Sequence, residues 1–294
     1  MNILVIGSSG MLGHTMLAIL SKTNGIATFG TERAKNDRLR SFLRSRGVTG
    51  SQIIWWEADP LSLKDSVKNL FDYNKWDCVI NCIGVVKQDM RSYEDFERAV
   101  VLNALFPRTL EMIAGINNCR VIHVSTDCVF SGRIGRYSEM DPPDPVDDYG
   151  QTKLLGEVAE PNLAIRSSFI GMEFGERKKG LLEWFLAQKG CVPGFQNAYW
   201  SGVTTLELSR VVSKLIRRTD VEGVLHIGGR EISKYDLLLS IQREYKRDDI
   251  TVLQKRTPVS VNRTLLTRRA VGLGITIAAL DEQLAELRRF YECC

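Results

Sequence analysis

The chain lacks any C-x-x-C pair. Its seven cysteines are scattered through 294 residues, so neither a disulfide framework nor a zinc site is indicated and no metal is expected. The adjacent Cys293 and Cys294 at the end of the chain read as incidental. No apolar run reaches the length of a bilayer span, so no membrane partner is expected. No excess of one charge stands out either. Thirty-nine Lys and Arg against 35 Asp and Glu leave a formal +4, which suits an anionic ligand but does not call for a nucleic acid polymer. The densest basic set, Arg38, Arg40, Arg44 and Arg46, reads as a solvated helix face. Internal repeats, low-complexity tracts and linkers are missing. Met1 runs straight into an apolar stretch, which leaves no room for a signal peptide, and a reducing cytoplasm is the expected compartment. The length is enough for one large or two small domains.

What is present begins at once. Ile3-Leu4-Val5-Ile6 is a wholly apolar run, as expected of a strand covered on both faces. Gly7-Ser8-Ser9-Gly10-Met11-Leu12-Gly13 follows, and then a helical pattern through Met16, Leu17 and Leu20. Glycines at this G-x-x-G-x-x-G spacing permit a tight turn, close approach of a pyrophosphate and close helix–strand packing. The helix amino terminus offers N–H groups and positive dipole to phosphates. Gly7, Ser9, Gly10, Met11, Leu12 and Gly13 are therefore candidate dinucleotide contacts. A second strand, Ile26 to Phe29, ends at Gly30-Thr31-Glu32-Arg33. An acid at this strand end holds a ribose 2′-hydroxyl, whereas small or basic groups suit a 2′-phosphate. Glu32 keeps NADH possible; Thr31 and Arg33, with Lys35 close by, favour NADPH. Arg33 and Lys35 also read as the start of a solvated basic helix.

The third and fourth strands are expected at Ile53–Trp56 and Asp77–Ile80, and a long helix from Ser92 to Ala114 with Asn103 inside it. Val121-Ile122-His123-Val124 is the fifth strand, ending at Ser125-Thr126-Asp127. After an irregular, proline-rich segment come Tyr149 and Lys153, four apart and so on one helix face. A hydroxyl at a strand end, a phenol and an ammonium can together move a proton to or from a carbinol oxygen. The lysine charge is expected to lower the phenol's pKa. Successive strand residues face opposite ways, so only one of Ser125 and Thr126 faces a substrate, and Thr126 is favoured.

Ser125-Thr126-Asp127-Cys128-Val129-Phe130-Ser131-Gly132, followed by Tyr149-Gly150-Gln151-Thr152-Lys153-Leu154-Leu155-Gly156-Glu157, resembles the extended short-chain dehydrogenase/reductases, and within them the dTDP-4-dehydrorhamnose reductase branch. The resemblance is sharpest over residues 1–171. It implies a doubly wound Rossmann α/β fold with a parallel sheet in residues 1–166, rejoined by residues 203–229. A smaller carboxy-terminal α/β substrate-binding lobe is implied for residues 167–202 and 230–294. It implies Thr126, Tyr149 and Lys153 as catalytic groups, with Tyr149 and Lys153 also touching the cofactor. Asp59 is implied near the adenine, Asn81, Cys82, Ile83 and Gly84 beneath the nicotinamide ribose, and Asn103 beside the lysine. The substrate class implied is a nucleotide-diphosphate-linked 4-keto-6-deoxy sugar, and a homodimer is common in the family. Cys128, Arg166 and Trp200 are substrate-side candidates, and Arg263, Arg268 and Arg269 suit a diphosphate by chemistry.

Several readings stay open. Asp59, before a proline, also suits an ordinary turn. Phe195, Tyr199 and Trp200 suit stacking on a base or sugar and also suit a small-lobe core. Cys128 stands where the branch usually has an aromatic. A cysteine serves as acid/base at a similar place in related epimerising enzymes, which leaves a 3,5-epimerase/4-reductase or an epimerase as an alternative. No partner histidine is evident among His14, His123 and His226. A non-catalytic dinucleotide-binding regulatory subunit is the alternative from another class.

Overall fold

The computed structural model describes residues 1–175 and 178–292, apart from the side chain of Ser51. Cys293 and Cys294 lie outside the described residues. Strands and helices alternate along the first half of the chain: β1 (Asn2–Ile6), α1 (Met11–Leu20), β2 (Ala27–Glu32), α2 (Asp37–Ser45), β3 (Ile53–Trp55), α3 (Leu63–Tyr73) and β4 (Cys78–Asn81). Then come α4 (Tyr93–Ala99), α5 (Phe106–Ile116), β5 (Arg120–Val124), α6 (Asp148–Leu155) and β6 (Leu163–Arg166). The remaining elements are β7 (Phe169–Ile170), α7 (Leu181–Leu186), β8 (Gly190–Phe195), β9 (Ala198–Trp200), β10 (Val203–Thr204), α8 (Thr205–Leu215) and β11 (Gly223–His226). Last are β12 (Ile232–Ser233), α9 (Lys234–Glu244), β13 (Ile250–Lys255), β14 (Val261–Asn262), α10 (Arg268–Gly272) and α11 (Leu280–Glu292).

Seven strands form one sheet in the order β11-β6-β5-β4-β1-β2-β3, every pair parallel. The order reverses beside β1, so the carboxyl ends of β1 and β4 flank a crevice of the kind where α/β sheets bind ligands. Both faces are covered, which is why these strands read as continuous apolar runs. Ile3, Val5, Ile80, Ile122 and Val124 pack beneath α1, α2 and α8; Leu4, Ile6, Val79 and Val121 pack beneath α3 and α5. A third cluster, with Leu182, Phe185, Trp200, Leu237, Ile241 and Leu284, forms the core of the carboxy-terminal elements. There β8 and β13 pair in parallel, a pairing the sequence did not announce. Ser233 caps α9 as its position suggests, accepting the Asp236 N–H at 3.0 Å.

The expected Ser92–Ala114 helix is one continuous helical segment, Tyr93–Ile116, with a π-helical stretch at Val100–Leu105. The interruption has a local cause. Pro107 has no N–H for the carbonyl of Asn103. That carbonyl lies against Gly156, where a Cβ would come within 1.8 Å of it. Glycine at 156 thus lets the end of α6 approach the bulged helix. By length and composition the 24-residue segment is apolar enough to cross a membrane, contrary to the reading that no stretch is. In the fold its Phe106, Leu110 and Ile113 stripe packs on the sheet.

Candidate active site

The glycine loop closes on itself. The Gly10 N–H donates to the Gly7 carbonyl at 3.0 Å, and a Cβ on Gly13 would come within 2.1 Å of that same carbonyl. Gly7 has φ +81°, a conformation few other residues adopt, and a Cβ there would press on Ile83 at 2.9 Å. The loops after β1 and β4 are therefore packed together as two walls of the crevice. No side chain caps α1 at Gly10 and no acid stands in its first turn, so the helix terminus keeps its positive end for an anion. These features fit the pyrophosphate of a dinucleotide, and Ser9, Met11 and Leu12 stand in the same turn.

The end of β2 is arranged differently from the expectation. Thr31 is buried and turned into the loop: its Oγ1 accepts the Gly7 N–H at 3.0 Å, and its carbonyl accepts both the Ser8 N–H and the Ser8 hydroxyl. It shapes the loop instead of reaching for a ribose substituent. Glu32 is buried and paired with Arg40, whose Nε lies 3.2 Å from Oε2. Arg33 is exposed, 3.8 Å from Glu57, and Lys35 pairs with Asp37. Asp59 is exposed and serves its own turn, accepting the Leu61 N–H at 2.9 Å and the Ser62 hydroxyl at 2.6 Å. Those bonds hold its carboxyl below the usual range.

At the end of β5 the alternation of side chains separates the two hydroxyls. Ser125 points into the protein and donates to Glu157 at 2.7 Å. Thr126 points the other way. Its Oγ1 accepts the Cys128 N–H at 3.2 Å and donates to Asp127 at 3.2 Å, and the hydroxyl acts on the Tyr149 phenol. Asp147 caps α6, accepting the Gly150 N–H at 2.9 Å, and is tied to Lys87 at 2.8 Å. Gly150 permits this closeness: a Cβ there would fall 2.2 Å from the Cys128 carbonyl. Thr126, Tyr149 and Cys128 are thus brought together at the carboxyl edge of the sheet.

Lys153 projects from the next turn of α6 and is buried. Its Nζ donates to the Val124 carbonyl at 2.7 Å and lies 3.3 Å from Nε2 of His123. A Cβ on Gly84 would stand 3.8 Å from that Nζ, so the loop after β4 passes directly over the amine. Asn103, inside the π-helical stretch, accepts the Val85 N–H at 2.8 Å and donates to the Val85 carbonyl at 3.0 Å and to Thr152 at 3.1 Å. It fastens the loop after β4 to α6 one residue before the lysine. Asn81 is buried; its Oδ1 accepts the Ile83 N–H at 3.0 Å and its Nδ2 faces His123. Cys82 stands at the end of the same strand, its thiol pushed up to about 12 by burial.

Electrostatics revise one expectation. Burial pushes the Tyr149 phenol above its ordinary range, the neighbouring Cys128, Asp127 and Asp147 act the same way, and Thr126 opposes them. The anticipated lowering by Lys153 is not found, because the amine is turned to Val124 and His123. Burial pulls Lys153 down to about 8. A phenol held protonated is suited to giving a proton rather than taking one. Cys128 is likewise held as a thiol, pushed up to about 12 by burial and Asp127, which does not favour its use as a base.

Two substrate-side candidates are engaged elsewhere. Arg166 is buried in a two-pronged pair with Glu157, both contacts 2.8 Å, and its guanidinium lies over Phe130. Trp200 is part of the third core cluster and donates its indole N–H to Ser168 at 2.9 Å. Arg269 is bound to the Glu222 and Val224 carbonyls, whereas Arg263, bonded to the Phe130 carbonyl at 2.8 Å, exerts its charge on Asp127 and Cys128. Among the described residues no cluster of three or more His, Cys, Asp and Glu could hold a metal. The residue the sequence reading passed over is His123. Its signal was a polar side chain inside an otherwise apolar strand.

Residues 1–267 match the RmlD substrate binding domain. The chain belongs to this family. It is 27% identical over 239 residues to a probable low-salt glycan biosynthesis reductase of Haloferax volcanii, covering 77% of this chain and 74% of that protein. It is 28% identical over 192 residues to a dTDP-4-dehydrorhamnose reductase of Aggregatibacter actinomycetemcomitans, covering 60% and 64%. The solved dTDP-4-dehydrorhamnose reductase of Bacillus anthracis, in complex with NADP, superposes with a TM-score of 0.75 over 98% of each chain at 16% identity, which speaks to the shared fold. The RmlD family match covers the glycine loop and the Thr126, Tyr149 and Lys153 group alike.

Proposed function

We propose that this chain is a reductase of a nucleotide-diphosphate-linked 4-keto-6-deoxy sugar, using NADPH in preference to NADH. The observation that carries the reading is the meeting of Thr126, Tyr149 and Lys153 at the carboxyl edge of the sheet, with the lysine under Gly84 in the loop that packs against the glycine turn. A bound nicotinamide would supply hydride to the carbonyl carbon. Tyr149 would give its proton to the oxygen on which negative charge develops, and Thr126 would donate a hydrogen bond to it. Lys153, bonded to the Val124 carbonyl and lying under Gly84, would hold a ribose hydroxyl. Gly7, Gly10 and Gly13 with Ser9, Met11 and Leu12 would hold the pyrophosphate. The preference for NADPH is supported by Arg40, which neutralises Glu32, and by exposed Arg33 and Lys35 near the same strand end. The names of relatives in polysaccharide and deoxysugar reduction support the substrate class.

Mixing the protein with NADPH and a panel of 4-keto-6-deoxy sugar nucleotides should give oxidation of NADPH on at least one member. Tyr149→Phe should keep NADPH affinity and lose about 10²–10⁴-fold in turnover. Full activity in that variant, or binding of NADPH with no turnover on any panel member, would overturn the reading.

A further inference from the structure

Three buried polar groups run in a row behind the site: Asn81 on β4, His123 directly across from it on β5, and Lys153 on α6. Donors and acceptors along the row fix where the hydrogens lie. The Ile83 N–H needs an acceptor, and Asn81 Oδ1 supplies it at 3.0 Å. The other end of that amide, Nδ2, is a donor only. It faces His123 Nδ1 at 3.0 Å, so Nδ1 must be the accepting nitrogen. A neutral imidazole then carries its hydrogen on Nε2, and Nε2 faces Lys153 Nζ at 3.3 Å. An ammonium has no lone pair to receive that hydrogen; a neutral amine has one. Turning the Asn81 amide over does not relieve the conflict, because an NH₂ would then face the Ile83 N–H.

We propose that His123 is a positioning residue, its tautomer set by Asn81, which presents an N–H to Lys153 and so favours the neutral amine over the ammonium at this site. The inference rests on the placing of Lys153 in the reductase site. Other groups facing the pair are Glu157 beyond α6 and Cys82 at the end of β4, both of which favour the ammonium, and Arg108 of α5, which acts on His123. The imidazole itself stays neutral, since burial above all holds it well below its ordinary range, and Arg108 acts the same way. The lysine's charge therefore changes near neutral pH, and with it the charge presented to a ribose hydroxyl.

The test is made on the full chain without substrate, so it stands whether or not the reductase reading survives. In ¹⁵N-histidine spectra of the wild type, His123 should show the hydrogen on Nε2 and no titration across neutral pH; a hydrogen on Nδ1 overturns the proposal. In ¹⁵N-lysine spectra, His123→Leu should raise the Lys153 midpoint by about one unit, a tenfold change in its proton affinity. Were Nε2 instead an acceptor stabilising the ammonium, the same substitution would lower the midpoint, so the sign decides. If His123→Leu does not fold, the tautomer in the wild type still decides between the two arrangements.

Discussion

The buried pair between Glu157 and Arg166 offers a quantitative test of how the site is held. Glu157 follows α6 directly, Arg166 ends β6, and Ser125, next to the reacting hydroxyl, donates to the same carboxylate. Replacing Glu157 by Leu leaves the guanidinium without its counter-charge in a buried position, with one face on Phe130 and Nη1 already unpartnered. Breaking one side of such a pair costs about 3–5 kcal/mol. The orphaned Ser125 hydroxyl adds about 1 kcal/mol. Against a total stability of about 5–15 kcal/mol this is a large fraction. With a urea m-value of about 3 kcal/mol/M, the midpoint should fall by roughly 1–2 M with the slope unchanged. The double variant Glu157→Leu, Arg166→Met should regain most of the loss, since an apolar pair of similar volume removes the stranded charge and Met keeps the contact with Phe130. Equilibrium urea unfolding followed by circular dichroism measures all three proteins. A single variant within about 1 kcal/mol of wild type, or a double variant no more stable than the single, would refute the reasoning.

Other outcomes follow from the same structure. Gly13→Ala forces a methyl into the Gly7 carbonyl and should weaken NADPH binding by at least about tenfold, measured by fluorescence titration; unchanged affinity would mean the loop is not the cofactor's cradle. Trp200→Phe should lower the melting temperature yet leave the KM for the sugar nucleotide unchanged, because the ring is core; a raised KM with normal stability would return it to the substrate side. His14, buried between the Gly10 carbonyl and the Tyr291 hydroxyl, is held down to about 4 by burial. Between pH 6.5 and 4 the unfolded chain therefore binds the extra proton, so stability is unaffected by this group above that window and is lost as pH falls through it, by up to about 3 kcal/mol. His14→Gln should flatten this acid loss in urea midpoints compared at neutral and acid pH; an identical acid loss would contradict it.

Much of the fold is legible in the sequence because each central strand is buried on both faces and so is written as an uninterrupted apolar run, with glycines or polar groups where it stops. The parallel β8–β13 pair escapes because Gly190, Pro193 and Gly194 do not read as a strand interior and Thr251, Gln254 and Lys255 do not read as its partner. The π-helical stretch escapes for a different reason: one inserted residue barely disturbs a helical period, and only the meeting of Pro107, Asn103 and Gly156 reveals it.

The site divides along the same line. That Thr126 ends a strand and that Tyr149 and Lys153 share a helix is legible because strand alternation and helix spacing are local rules, and locality is what a sequence records; their roles rest on the family resemblance. Arg166 and Trp200 carry the chemistry of ligand contacts, yet their partners, Glu157 and Ser168, are chosen by the tertiary fold. The tyrosine's proton affinity is the sharpest case. Spacing places a cation one turn away, but whether its field reaches the phenol depends on where the amine is directed and whether it stays charged. Val124 and His123 hold the amine, burial draws its proton affinity down, and the half-buried phenol keeps its proton. For a hydride-accepting carbonyl that outcome is the useful one, since a phenol that has already lost its proton has none to give to the oxygen.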